Sequence, residues 1–191
     1  MVFGTAAHAE DLREQVAVVL APLGLRLSQE KTRVVHVDDG FDFLGHNIRR
    51  QRKRGTSKDV IYTRPSKRAI KAIKERISEL TYRHTRNQSL ARLLERLNRT
   101  LAGWANYFRH GVAKATYNAI DHHAWRPIVN WLLRKHRMRR SQLRQFCDRG
   151  WRFAEGPVAF TGASSVTIVR YRYRGARIPT PWTIAPTALP G

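Results

Sequence analysis

The sequence predicts an α+β protein: a small α/β head over residues 1–63, an α-helical basic domain over 64–149, and a short β-rich tail over 150–191. Three observations predict it. Short apolar runs separated by turn residues fill the head after its first helix. Long apolar stripes with helical spacing run from residue 66 to 136. After Gly150 the pattern returns to strand-like alternation.

Taken in order, residues 8–21 read as a helix with Leu12, Val16, Val19 and Leu20 on one face, ended by Pro22 and Gly24. Residues 25–29 and 33–37 read as strands. Asp38-Asp39-Gly40 is a turn signal, so residues 33–48 read as a hairpin with Phe41, Phe43 and Ile48 in its return strand. A basic loop is expected from Arg49 to Lys58, then a strand at 59–63. Pro65-Ser66 opens a helix whose Ile70, Ile73, Ile77 and Leu80 are spaced by three and four residues. A second helix runs from Ser89 to Phe108 on a stripe that includes Leu90, Leu93, Leu94, Leu97, Leu101 and Trp104, and Gly111 is the expected stop. A third covers about 114–136, where Pro127 is expected to kink or split it. A short helix is expected at 139–148. Val166–Val169, Tyr171 and Tyr173 look strand-like. Arg170, Arg172, Arg174 and Arg177 alternate as one basic face of a strand would. The four prolines from Pro179 onward point to a loose end.

Composition narrows the function. The 191 residues carry 36 Lys+Arg against 14 Asp+Glu, a formal net charge of +22. A hydrophobic content of 42% excludes a wholly disordered basic tail. Cys147 is the only cysteine, which excludes a disulfide scaffold and points to a reducing, cytoplasmic setting. No apolar run is long enough for a membrane span, and the N-terminus does not read as a signal peptide. The charge is segregated: residues 1–48 are net acidic, while 49–86 and 126–152 are strongly basic. A surplus this large and one-signed calls for a polyanion, most simply nucleic acid. Tyr82, Tyr107, Trp125, Trp131 and Trp151 lie near the charges, where aromatic rings can stack on unpaired bases. Trp104 and Phe108 read as core, whereas Trp125 and Trp131 stand evenly between the two roles.

Few residues invite catalysis. Asp38-Asp39 has the look of a two-metal carboxylate pair on a hairpin turn, but Asp before Gly is ordinary turn chemistry and is the preferred reading. Asp42 has no evident third ligand beside it. His122-His123 project about 100° apart on a helix and do not chelate one ion, so no metal is expected. Cys147 reads as a small buried side chain. There is no P-loop at Gly4-Thr5 and no nucleophile elbow around Ser164-Ser165.

The stretch Leu23-Gly-Leu-Arg-Leu-Ser-Gln-Glu-Lys-Thr32, followed by Phe41-Asp-Phe-Leu-Gly-His46, resembles the late palm region of group II intron reverse transcriptases. Arg64-Pro-Ser-Lys-Arg-Ala-Ile70 and Leu97-Asn-Arg-Thr-Leu-Ala-Gly-Trp-Ala-Asn-Tyr-Phe108 resemble their maturase-specific domain, also called domain X or thumb. The resemblance covers most of residues 1–150. It implies a palm remnant over 1–63 and domain X over 64–149. It makes Lys31 a palm lysine near the incoming nucleotide, with Thr32 beside it, and Phe43, Leu44 and Gly45 a primer-grip-like segment. For domain X it implies binding of intron RNA and help in its splicing.

The chain departs from the family in what it lacks. The family's Tyr-Ala-Asp-Asp motif lies upstream of the segment that begins here with Val2-Phe3-Gly4. Asp38-Asp39 lies between the lysine motif and Phe43-Leu44-Gly45, in the place of a later turn. No C-terminal Cys/His set of the family's HNH endonuclease is present. The expectation is therefore a truncated, RNA-binding maturase-type protein with no polymerase activity of its own and no catalytic residue beyond the candidate Lys31. The expected RNA contacts are Arg64, Lys67, Arg68, Lys71 and Lys74, and Arg134, Lys135, Arg137, Arg139 and Arg140. Structured intron RNA is the expected partner, with a DNA primer as an additional one. No cofactor is expected, with Mg2+ entering only if a complete polymerase site is supplied elsewhere. The alternatives are part of an active RNA-directed DNA polymerase, a non-functional mobile-element relic, and a general DNA-binding module.

Overall fold

In a computed structural model, residues 5–169 are described. The expectations for Tyr171, Tyr173, the arginines from Arg170 onward and the proline-rich end fall outside them.

The head begins with α1 (Ala6–Leu20), capped by Thr5, whose hydroxyl accepts from the His8 amide. Pro22 and Gly24 end it as expected, through a single 3-10 turn and a left-handed Gly24 at φ 70°. The strands expected at 25–29 and 33–37 do not form. A strand exists only where a neighbour takes its ladder bonds, and over 33–37 the one such bond runs from Arg50 N to Val37 O at 3.0 Å. Asp38-Asp39-Gly40 is a turn, with the amides of Asp39 and Gly40 both on the His36 carbonyl, but it is not the hairpin turn.

The hairpin lies later. It joins β1 (Phe41–Phe43) to β2 (His46–Arg52) through Leu44-Gly45. Both turn residues are left-handed, at φ 46° and 77°, as a two-residue type I′ loop requires. β3 (Asp59–Pro65) completes an antiparallel sheet of order β1-β2-β3. The expected basic loop at 49–58 is therefore strand as far as Arg52. His-Asn-Ile-Arg-Arg-Gln-Arg hides a strand because little of either face is covered, so no apolar alternation is needed.

The helical body follows. Ser66 ends the sheet and caps α2 (Lys67–Leu80): its hydroxyl accepts from Ala69 N, and its own amide donates to Gly45 O at 2.8 Å. Ser89 caps α3 (Leu90–Phe108) in the same way. The predicted stripes of both helices are buried, from Ile73, Ile77 and Leu80 on α2 to Leu93, Leu94, Leu97 and Leu101 on α3. They pack with Tyr117, Ile120, Ala124, Ile128, Trp131 and Leu132 of α4 (Lys114–His136). Pro127 does not split α4, which runs unbroken for 23 residues. Lys74 approaches His123, and Thr85, just past α2, meets Trp131, so α2 and α4 run parallel. The tyrosine hydroxyl of Tyr117 donates to Ala105 O at 2.6 Å, tying α4 to α3.

The segment expected as a helix at 139–148 is a 3-10 run, Arg140–Phe146. Beyond Gly150 a two-residue hairpin forms from β4 (Ala154–Glu155) and β5 (Val158–Ala159). Val166–Val169 is not a strand. This tail is strapped to the body by side chains that carry no sequence signal. Glu155 accepts from Ala91 N at the start of α3, Asn98 bonds Ala159 O and Thr161 N, and Asp121 accepts from Ala163 N and Ser164 N. Phe153 and Ala163 are consequently buried.

Candidate nucleic-acid interface

Three of the four stretches that carry the family resemblance converge on one turn. The Leu44 carbonyl accepts from the Tyr107 hydroxyl at 2.7 Å, and the Gly45 carbonyl accepts from Ser66 N. His46 stacks on Tyr107 with ring centroids 5.3 Å apart and meets Phe108 edge-on at 4.8 Å. Below this, Val112 N donates to Thr63 O at 2.8 Å. Gly111 lies so close that a Cβ there would sit 2.6 Å from the same carbonyl. Gly111, expected only as a helix stop, is thus what lets β3 meet the body. Burial among these rings lowers the His46 pKa, because a charged imidazole is poorly solvated there. Sequence reasoning missed His46 and Tyr107 as a pair, since 61 positions in the chain separate them.

Phe43 and Leu44 stay exposed at the hairpin tip beside Tyr107. Lys31 lies on the head and lines, with Leu12, Val16, Phe41, Asp42 and Phe43, a groove of about 650 Å3. Asp38 faces elsewhere: Arg50 grips both of its carboxylate oxygens at 2.6 and 2.7 Å and holds its pKa below the usual carboxylate value. That ion pair pins the turn at residues 36–40 to β2.

The expected RNA contacts form two groups. Lys67, Arg68 and Lys71 are exposed on α2, with Lys74 partly covered. Lys71 lies 3.8 Å from Glu75. Arg64 precedes them on β3, its guanidinium 4.9 Å from the centre of the Tyr62 ring. Lys67, Lys71 and Lys74 border an open groove against α4, where burial and Lys74 together lower the His123 pKa. The second group sits at the end of α4, where cations also complement the helix dipole. Arg134, Arg137, Arg139 and Arg140 are exposed there. Arg134 lies eleven helical steps beyond His123, so the groups lie roughly 16 Å apart along α4.

Lys135 differs from its neighbours. Its ammonium donates to the carbonyls of Arg86 and Gln88 at 2.8 and 2.6 Å and lies over the Trp131 ring. Trp131 is buried, which places it in the core, and its indole N–H donates to Thr85 Oγ1 at 3.1 Å. Trp104 packs against that core and Phe108 lies in it. Tyr82, Tyr107, Trp125 and Trp151 are exposed. Cys147 is half-buried, and burial pushes its thiol pKa up, as suits a structural residue.

Known proteins bear on this arrangement. Residues 70–151 match the family model described as group II intron, maturase-specific domain. The matched stretch is 82 of the 191 residues. It begins within α2 and takes in α3, α4 and the 3-10 run after it. The chain is also similar to a protein of Escherichia coli (strain K12) named Protein YkfC, with 44% identity over 70 residues. The match covers 36% of this chain and 18% of YkfC, so the chain spans less than a fifth of that relative. The matched residues thus make up most of the helical body, and the Leu44-Gly45 hairpin docks where α3 ends. Among the described residues no helix is long and apolar enough to cross a membrane.

Proposed function

We propose that this chain is an RNA-binding, maturase-type protein of a group II intron that assists folding and splicing of the intron RNA. One observation carries the reading: a maturase-specific domain whose apolar stripes are consumed in a single core while its cations stand outward. Such a surface gains affinity by releasing counterions from phosphates. Arg64, Lys67, Arg68, Lys71 and Lys74 form one contact patch in this reading. Arg134, Arg137, Arg139 and Arg140 form the other, with Lys135 giving at most one donor beyond its two carbonyl bonds. Residues 1–63 are read as palm-derived and 64–149 as domain X, with Phe43-Leu44-Gly45 as the grip-like element at their junction. Asp38 is held by Arg50, and the reading asks no metal chemistry of it.

The test is charge reversal. Lys67→Glu, Lys71→Glu and Lys74→Glu together, and separately Arg137→Glu, Arg139→Glu and Arg140→Glu, should each weaken RNA binding. Each lost phosphate contact should flatten the plot of log affinity against log salt by about 0.7 to 0.9. Unchanged affinity with both groups reversed contradicts the reading. Competition by duplex DNA as effective as that by structured RNA would instead favour a general DNA-binding module.

One observation favours a second reading, in which the chain works with a polymerase site supplied by another polypeptide. Lys31 and Phe43 border the same groove, as a palm lysine near a nucleotide and a grip near a primer would. Mg2+ and a DNA primer belong to that reading alone. Its test is primer extension with and without this chain, using Lys31→Ala as the control.

A further inference from the structure

We propose that the loop between α2 and α3, residues 81–89, is a seat for one unpaired ribonucleotide. The inference rests on the RNA-binding reading above and deepens it, since charge alone does not distinguish paired from unpaired RNA.

The loop is held from beneath. The Thr85 hydroxyl donates to the carbonyls of Leu80 and Tyr82 at 3.0 and 2.7 Å. Trp131 donates to the same hydroxyl, and Lys135 clamps the carbonyls of Arg86 and Gln88. A short loop whose Tyr82, Arg86 and Gln88 carbonyls are held by the buried Thr85 and by Lys135 is preorganised, so a ligand meeting it loses little ordering entropy there.

What the loop presents is an aromatic ring flanked by a guanidinium and an imidazole. Tyr82 is 52% exposed although its neighbours are pinned. Arg83 places its guanidinium 5.6 Å from the Tyr82 ring centre, and the His84 ring lies 5.5 Å away at a tilt. His84 leads into a polar cleft of about 490 Å3 that Arg76, Asn87, Gln88 and Arg96 also line. In that cleft Arg76 is paired with Glu79 at 2.7 Å, and Arg96 donates to the Gln88 side-chain oxygen at 3.4 Å. An unpaired nucleotide fits this arrangement: a base face for Tyr82, and base-edge or phosphate oxygens for Arg83 and Arg96. A base inside a helix offers no free face, so the seat selects unpaired RNA.

The experiment compares two RNAs of equal length, a stem with a single-stranded loop and a fully paired duplex. The proteins are the unaltered chain, Tyr82→Ala, Tyr82→Phe and the Lys67/Lys71/Lys74 reversal, each first shown to melt cooperatively. Tyr82→Ala should weaken stem-loop binding roughly 5- to 100-fold and leave duplex binding within a factor of two, while Tyr82→Phe keeps both. Equal losses on the two RNAs, or no loss on either, overturn the seat. If Tyr82→Ala is silent while the reversal abolishes binding, the seat fails and the RNA-binding reading stands. If the reversal is silent as well, both fail.

Discussion

Helices α1 and α3 announce themselves in sequence by similar means: apolar residues three and four apart, and a clear stop. In the fold they fare differently. α3 buries Leu90, Leu93, Leu94, Leu97 and Leu101 against α2 and α4. α1 buries nothing, and Val18 and Val19 are about 70% exposed, at 71% and 69%. Periodicity states which face of a helix gains by being covered; it does not say that a cover is within reach. The body is therefore the stable part of the molecule, and the head depends on its docking at the Leu44-Gly45 turn.

The largest expected effect breaks the body. Leu97→Ala removes a fully buried side chain and should cost about 2–5 kcal/mol, whereas Val19→Ala on α1 should stay within about 0.5 kcal/mol. Denaturant titration of both variants checks the contrast. Equal costs would show that α1 is covered in solution.

Next comes the seam. Gly111→Ala sets a methyl group against the Thr63 carbonyl, and overpacking of this kind costs about 1–3 kcal/mol. Hydrogen exchange at the Val112 amide should rise with it, because Val112 N donates to that carbonyl. Retained protection would mean that sheet and body do not meet here.

The caps give a smaller contrast. Ser66→Ala removes a buried N-cap on α2 and should cost about 1 kcal/mol. Thr5→Ala, at the equivalent position of α1, should leave the cooperative melt unmoved, because α1 adds no buried contacts to it.

The smallest effect is a pH dependence of docking. The His46 pKa is lowered by burial, so the folded state favours the neutral ring. The stability this brings is complete above the ordinary histidine pKa of 6.5 and is lost as pH falls through it towards the lower folded value. Protection of the Val112 amide, relative to its intrinsic exchange rate at each pH, should therefore fall below that pH, and His46→Phe should remove the dependence.

How far the sequence reveals this architecture follows the same division. The stripes of α2 and α3 are legible because much of the core they build lies between themselves and α4, within one stretch of chain. β2 is not legible, since Arg49, Arg50 and Arg52 need no apolar alternation on a largely uncovered sheet. Pro127 overstates its effect: the long α4, packed on both sides of it, absorbs one missing hydrogen bond. At the candidate interface, charge locates both basic groups. Nothing in charge separates Lys135, which binds carbonyls, from Arg134 beside it, which is exposed. The His46–Tyr107 stack and the pinned loop under Tyr82 are contacts between distant segments, visible only once the chain is folded.

The most direct test of the central claim is the affinity of the purified chain for a folded group II intron RNA at two salt concentrations, with tRNA as competitor. An RNA-binding maturase-type protein predicts tight binding that weakens with salt yet survives excess tRNA. Binding abolished by tRNA as readily as by the intron RNA itself would contradict it, leaving only unspecific attraction between a basic chain and a polyanion.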